Sequence, residues 1–145
     1  MTLCIDIGNS TIVLGGFDKD NLCFVARIST DASKTEDEYA RKILDILSLH
    51  GVERAAIDGC IISSVVPPLN SVIRKAVSFA YGVDALLVGP GIKTGLGIHC
   101  DNPSSVGSDI ICACVAAQHL YGCPCLVIDM GTATKMSVID KKIFV

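Results

Sequence analysis

No run of lysine or arginine occurs in the 145 residues, and the formal net charge is −3. That balance argues against a nucleic-acid or anionic-membrane surface, although an ATP site needs only local positive groups. Nor does any segment approach the roughly 18 uninterrupted apolar residues of a membrane span. Met1 leads straight into an apolar run with no basic n-region or cleavage site, so a cytoplasmic protein with a small-molecule partner is expected. Common zinc-module spacings are missing too. Cys112 and Cys114 fall on a predicted helix, where a spacing of two sends side chains to nearly opposite sides, and Cys123-Pro124-Cys125 straddles a strand entrance. A zinc site is the alternative to a simpler reading, in which Cys4, Cys23, Cys60, Cys112, Cys114 and Cys125 act as small hydrophobes in apolar patterns.

What the chain does contain is a repeated turn. Leu3-Cys4-Ile5 runs into Asp6-Ile7-Gly8-Asn9-Ser10-Thr11, followed by Ile12-Val13-Leu14 and a polar turn at Asp18-Lys19-Asp20-Asn21. Taken alone, Asp-x-Gly-Asn is an ordinary hairpin signature. Far downstream the pattern recurs: Leu126-Val127-Ile128, then Asp129-Met130-Gly131-Thr132-Ala133-Thr134, then Met136-Ser137-Val138-Ile139 and a turn at Asp140-Lys141-Lys142. Such repetition predicts two related domains, each offering an acidic hairpin to a shared cleft. Gly8 permits close backbone approach, the N-H groups of the turn suit phosphate oxygens, and Asp6 is placed to hold a cation against them.

Strands are predicted at Leu3 to Ile7, Thr11 to Phe17 and Leu22 to Ile28, as an antiparallel meander. Thr35-Glu36-Asp37-Glu38 is a capping box, and Tyr39, Ile43, Ile46 and Leu47 mark the buried face of the helix it opens, with Gly51 as its stop. Cys60-Ile61-Ile62 reads as a buried strand. The next helix turns Leu69, Val72, Ile73, Ala76, Val77 and Ala80 inward and closes at Gly82, before a strand at Ala85 to Val88. A final helix is expected from about Gly107 to Tyr121. The order βββαβαβα, a 50% hydrophobic content and the repeat together give an α/β protein, with a first domain over 1–122 and the beginning of a second over 123–145.

Two segments stay open on their residues alone. Gly89-Pro90-Gly91-Ile92-Lys93-Thr94-Gly95-Leu96-Gly97 is either a plain connector or a wall of the substrate pocket. Asp109, in the first turn of the last helix, is either a favourable partner for the helix dipole or a group with chemistry to do.

Together these motifs resemble the type III pantothenate kinases, of the acetate and sugar kinase, Hsp70 and actin superfamily. The resemblance rests on Asp6 to Thr11, Thr35-Glu36-Asp37-Glu38-Tyr39, Ser63-Ser64-Val65-Val66-Pro67-Pro68, Gly89 to Leu96, Asn102-Pro103, Val106-Gly107-Ser108-Asp109 and Asp129 to Thr134. It implies a ribonuclease H-like, actin-type ATPase fold and ATP-dependent phosphorylation of pantothenate, the first step of coenzyme A biosynthesis. It also implies Mg2+, a monovalent cation (potassium or ammonium) and a homodimer in the full-length protein. Carried over by position, Asp6, Ile7, Gly8, Asn9, Ser10, Thr11, Ile12 and Val13 would line the phosphates, with Asp6 a Mg2+ ligand, and Gly131 and Thr132 would contact ATP. Asp129 would bind the monovalent cation. Gly107, Ser108, Asp109 and Ile110 would face pantothenate, with Asp109 the catalytic base.

The chain departs from the family pattern at three points. Ile110 stands where the family usually has Arg, and an apolar side chain supplies neither the forked donors nor the charge of a guanidinium. Lys135 stands where Thr is usual, either reaching a phosphate or extending into solvent. Family members are also longer, so a fragment is expected. These departures keep two alternatives in view: a non-catalytic nucleotide-binding paralogue with a regulatory role, and a kinase for a different small hydroxyl substrate.

Overall fold

The computed structural model describes residues 1–131, 134–141 and 143–144, the side chains of Ser104 and Ile143 excepted. The chain divides into two units, Met1–Val88 and Gly89–Val145.

In the first unit, strands β1 (Thr2–Ile7), β2 (Thr11–Asp18) and β3 (Asn21–Ser29) form the expected antiparallel meander. β1 also pairs in parallel with β4 (Gly59–Ser64), and β4 with β5 (Ala85–Leu87), giving the order β3-β2-β1-β4-β5. Helices α1 (Glu36–Leu49) and α2 (Pro67–Tyr81) are the crossovers that parallel pairing requires. Alternation decides which side of the sheet they cover. Leu3, Ile5 and Ile7 of β1 and Ile12 and Leu14 of β2 project to one face and are buried in one cluster with Tyr39, Ile43 and Leu47 of α1 and Leu69, Ile73 and Val77 of α2. Each such side chain contributes about 1.5 to 3 kcal/mol on burial, which outweighs the small helix and strand propensities.

Local signals define the ends. Thr35 Oγ1 accepts from the Glu38 N-H while Glu38 Oε2 accepts from the Thr35 N-H, so the capping box is formed as read. Pro67 opens α2, and Gly82 closes it at φ 71°, in the left-handed region. Gly16 is required for packing: a Cβ there would lie 2.1 Å from the Phe24 ring. Cys23 is exposed, against the expectation of a core thiol, because Phe24, Ala26 and Ile28 take the inward positions of β3.

The second unit holds β6 (Gly97–Ile98), α3 (Ser108–Tyr121), β7 (Cys125–Met130), β8 (Thr134–Asp140) and β9 (Ile143–Phe144). β7, β8 and β9 repeat the meander, and β6 adds in parallel to β9, giving the order β6-β9-β8-β7. Helix α3 buries Cys114 against Ile139 and Leu96, with Ile110, Val115, Cys125 and Val127 around them. This packing joins α3 to the second unit, whereas the sequence boundary after residue 122 assigns it to the first. The opposite face of the hairpin carries Leu126, Ile128, Met130, Met136 and Val138, all exposed. In the repeat, Leu126, Ile128 and Met130 occupy the positions that Leu3, Ile5 and Ile7 hold beneath α1 and α2 in the first unit. Among the described residues, no helix is long and apolar enough to cross a membrane.

Candidate functional site

The β1–β2 turn is built from within. Asp6 pairs across the ladder with Val13, and Ile7 with Ile12, leaving Gly8 to Thr11 as the turn. The Gly8 N-H donates to the Thr11 carbonyl at 3.0 Å, and a Cβ on Gly8 would stand 3.0 Å from that same oxygen. A side chain at position 8 would therefore press on the carbonyl that closes the turn. The end of β3 braces it further: Thr30 Oγ1 donates to the Gly8 carbonyl at 2.7 Å, and the Thr30 N-H donates to the Ser10 carbonyl at 3.1 Å. Fully buried Tyr39 fixes the following residue, its hydroxyl donating to the Asp31 carbonyl and accepting from the Asp31 N-H, both at 2.9 Å. Asp6, Asn9, Ser10 and Thr11 are exposed on this braced turn. Ile7 and Ile12 face the core, and Val13 is half-buried.

In the second unit, strand parity puts Asp129 on the same side of β7 as Cys125 and Val127, the side that α3 covers. Gly107 is the N-cap of α3, and Ser108, Asp109 and Ile110 form its first turn, with Ser108 buried. Lys135 is directly opposite Asp129 in the β7–β8 ladder. Its ammonium is hydrogen-bonded to Asp109 Oδ2 and lies 3.7 Å from Asp129 Oδ2. The hydrogen bond and charge of Asp109, with the charge of Asp129, hold the Lys135 ammonium above the ordinary lysine range, despite some desolvation. Asp109 Oδ1 also accepts from the Ile110 N-H at 2.8 Å. The side chains of Asp109, Lys135 and Asp129 are 20%, 36% and 52% exposed, so each pair adds at most about 1 kcal/mol to stability. Charge placement matters more here than stability.

The structure thus gathers Asp6 to Val13 in one hairpin, and Asp109, Asp129 and Gly107 to Ile110 around α3 and β7. Gly131 is exposed at the end of β7, and Thr132 lies outside the described residues. Lys135 takes neither course read for it, being held by two carboxylates. Ile110 packs against the apolar cluster under α3, which accounts for an apolar residue there. Sequence reading missed Thr30 and the hydroxyl of Tyr39 as braces of the first turn. Both act on backbone atoms, and no motif advertises such contacts. For Lys135 a signal was present: counting the hairpin register places it across from Asp129.

Comparison with known proteins bears on the fold and on the family. A reductive activator for a corrinoid, iron-sulfur protein superposes with a TM-score of 0.58 at 16% identity, over 99% of this chain and 30% of that one. A ROK hexokinase from Thermus thermophilus gives 0.50 at 17% identity, over 99% and 47%. At such identities they show the fold alone, a mixed α/β sheet fold. A type III pantothenate kinase of Brevibacillus brevis is 48% identical over 142 residues, 98% of this chain and 56% of that protein. One from Geobacillus sp. (strain WCH70) is 45% identical over 141 residues, 97% and 55% of the two chains. This chain therefore spans a little over half the length of these curated relatives. The model of the type III pantothenate kinase family matches residues 2–144, and the chain belongs to that family.

Proposed function

We propose that the protein carries the phosphate-binding hairpin and acceptor-side acid of an ATP-dependent pantothenate kinase. The observation that carries this reading is the placement of Asp109 in the first turn of α3, partly exposed beside a second copy of the Asp-x-Gly hairpin. Asp6 to Val13 take the triphosphate, Gly131 and Thr132 contact ATP, and Gly107 to Ile110 face pantothenate. Exposed Asp6, with the hydroxyls of Ser10 and Thr11 nearby in sequence, is an all-oxygen donor set of the kind that suits Mg2+. When bound, that ion neutralises charge on the triphosphate.

In the transfer, the primary hydroxyl oxygen of pantothenate forms a bond to the γ-phosphorus as the bond from phosphorus to the ADP oxygen breaks. Asp109 accepts the hydroxyl proton, and the braced Gly8 to Thr11 turn keeps its donors fixed while charge shifts along the triphosphate. A cytoplasmic location and a homodimer of the full-length protein go with this reading through the family resemblance.

One observation favours a second reading. The Lys135 ammonium already occupies Asp109 Oδ2, an oxygen that a proton or an acceptor hydroxyl would have to share, and Ile110 brings no charge for the pantothenate carboxylate. Both suit a nucleotide-binding paralogue that does not transfer phosphate. ADP release by the natural full-length protein, in magnesium with and without pantothenate, separates the two. The kinase reading expects pantothenate-dependent release. A folded protein that ATP protects from unfolding, with no release, overturns it in favour of the paralogue, and release only with another alcohol assigns a different acceptor.

A further inference from the structure

The monovalent cation expected at Asp129 can be tested against the groups around that carboxylate. A free cation needs oxygen donors with negative charge to spare. Here Lys135 already brings a full positive charge to 3.7 Å from Asp129 Oδ2 and donates to Asp109 Oδ2. A potassium or ammonium ion entering between these acids meets like-charge repulsion at contact range. The residues present do not fit a free ion.

They fit a tethered one. A lysine head group is a compact, strongly hydrated unit charge with three donors, the chemistry of an ammonium ion on a flexible stem. Its tether is short, because Lys135 and Asp129 are directly opposed in the β7–β8 ladder and their side chains share the face that α3 covers. Intramolecular attachment gives such a group an effective concentration of millimolar order even on a flexible linker, and a cross-strand neighbour is better placed than that. The first hairpin supplies the contrast. There the residue opposite Asp6 is Val13, so a lysine facing the acid is no general requirement of the turn.

We propose that Lys135 is a built-in cation: its ammonium takes the place of the monovalent ion between Asp109 and Asp129, so the protein needs neither potassium nor ammonium ions. The proposal rests on the kinase reading only for the ion it replaces.

The test compares the natural protein with Lys135→Thr in potassium, ammonium and choline chlorides at equal ionic strength, by thermal unfolding and by pantothenate-dependent ADP release. The natural protein is expected to show the same Tm and rate in all three salts. Lys135→Thr is expected to lose several degrees of Tm and most of its rate in choline, and to recover both in potassium or ammonium. Lys135→Gln, which keeps a long side chain without charge, replaces it if the threonine variant does not fold. A natural protein whose Tm or rate rises with potassium overturns the proposal, as do variants indifferent to all three salts. ADP release absent from both proteins in every salt counts against the kinase reading, and the Tm pattern then decides the built-in cation by itself.

Discussion

Lys135 on β8 stands directly across from Asp129 on β7, and its ammonium joins that carboxylate to Asp109 in the first turn of α3. One long side chain thereby ties the two acids that the family resemblance assigns to cation binding and proton transfer. Asp109 is held by a hydrogen bond from Lys135 on one carboxylate oxygen and by the Ile110 N-H on the other.

Replacing Asp109 with Asn should lower turnover by about 10²- to 10⁴-fold, the usual worth of general acid-base assistance. ATP affinity should change little, because the turn proposed to take the triphosphate, Gly8 to Thr11, lies on the β1–β2 hairpin, whereas Asp109 is in helix α3. Steady-state kinetics and nucleotide titration on the same variant check both halves. Undiminished turnover removes Asp109 from the proton-transfer role.

Thr30→Val deletes the 2.7 Å hydrogen bond to the Gly8 carbonyl. The expected loss is about 1 kcal/mol in urea unfolding, with weaker ATP binding because the turn keeps only the backbone brace from the Thr30 N-H to the Ser10 carbonyl. A stability loss with unchanged ATP affinity would show that the brace serves folding alone.

Tyr39→Phe removes two hydrogen bonds to the Asp31 backbone from a fully buried ring. The cost should be about 1 to 3 kcal/mol, since the Asp31 N-H and carbonyl lose a buried partner while the ring stays packed. Denaturant midpoints at an unchanged slope would register it.

Much of this framework was legible in the sequence because its signals are local. The capping box at Thr35 and Glu38, the stops at Gly51 and Gly82, and both Asp-x-Gly hairpins lie within a few residues of the features they specify. What escaped depends on distant pairing. β6 is a two-residue strand defined only by its partner β9, inside a segment that reads as irregular from its glycines. The attachment of α3 to the second unit follows from Cys114 meeting Ile139, a contact that no window of sequence contains. Lys135 and Asp109 are 26 positions apart, and their meeting needs both the hairpin register and the packing of α3.

The capping box also carries a pH signature. The Thr35 N-H and hydroxyl, both bonded to Glu38, hold its carboxyl below the ordinary value of 4.5. A depressed folded-state pKa adds stability above the unfolded value, and that contribution is lost as pH falls through the folded one. Glu38→Gln should therefore lower Tm at neutral pH and converge with the parent in acid. A gap that persists unchanged at pH 3 would contradict the assignment.

Ile110→Arg should lower the KM for pantothenate by about one to two decades, the worth of a charge-assisted hydrogen bond of roughly 1.5 to 3 kcal/mol. It should also lower Tm, since Ile110 leaves the apolar cluster under α3. Unchanged KM would place the acceptor's carboxylate elsewhere.

The most direct measurement is the identity of the product formed from ATP and pantothenate by the natural full-length protein, read by mass spectrometry and phosphorus NMR. The expected product is pantothenate heavier by one phosphoryl group, as a monoester on its primary hydroxyl, with one ADP per ester formed. Pantothenate recovered unchanged, from a folded protein shown to bind ATP, would contradict it.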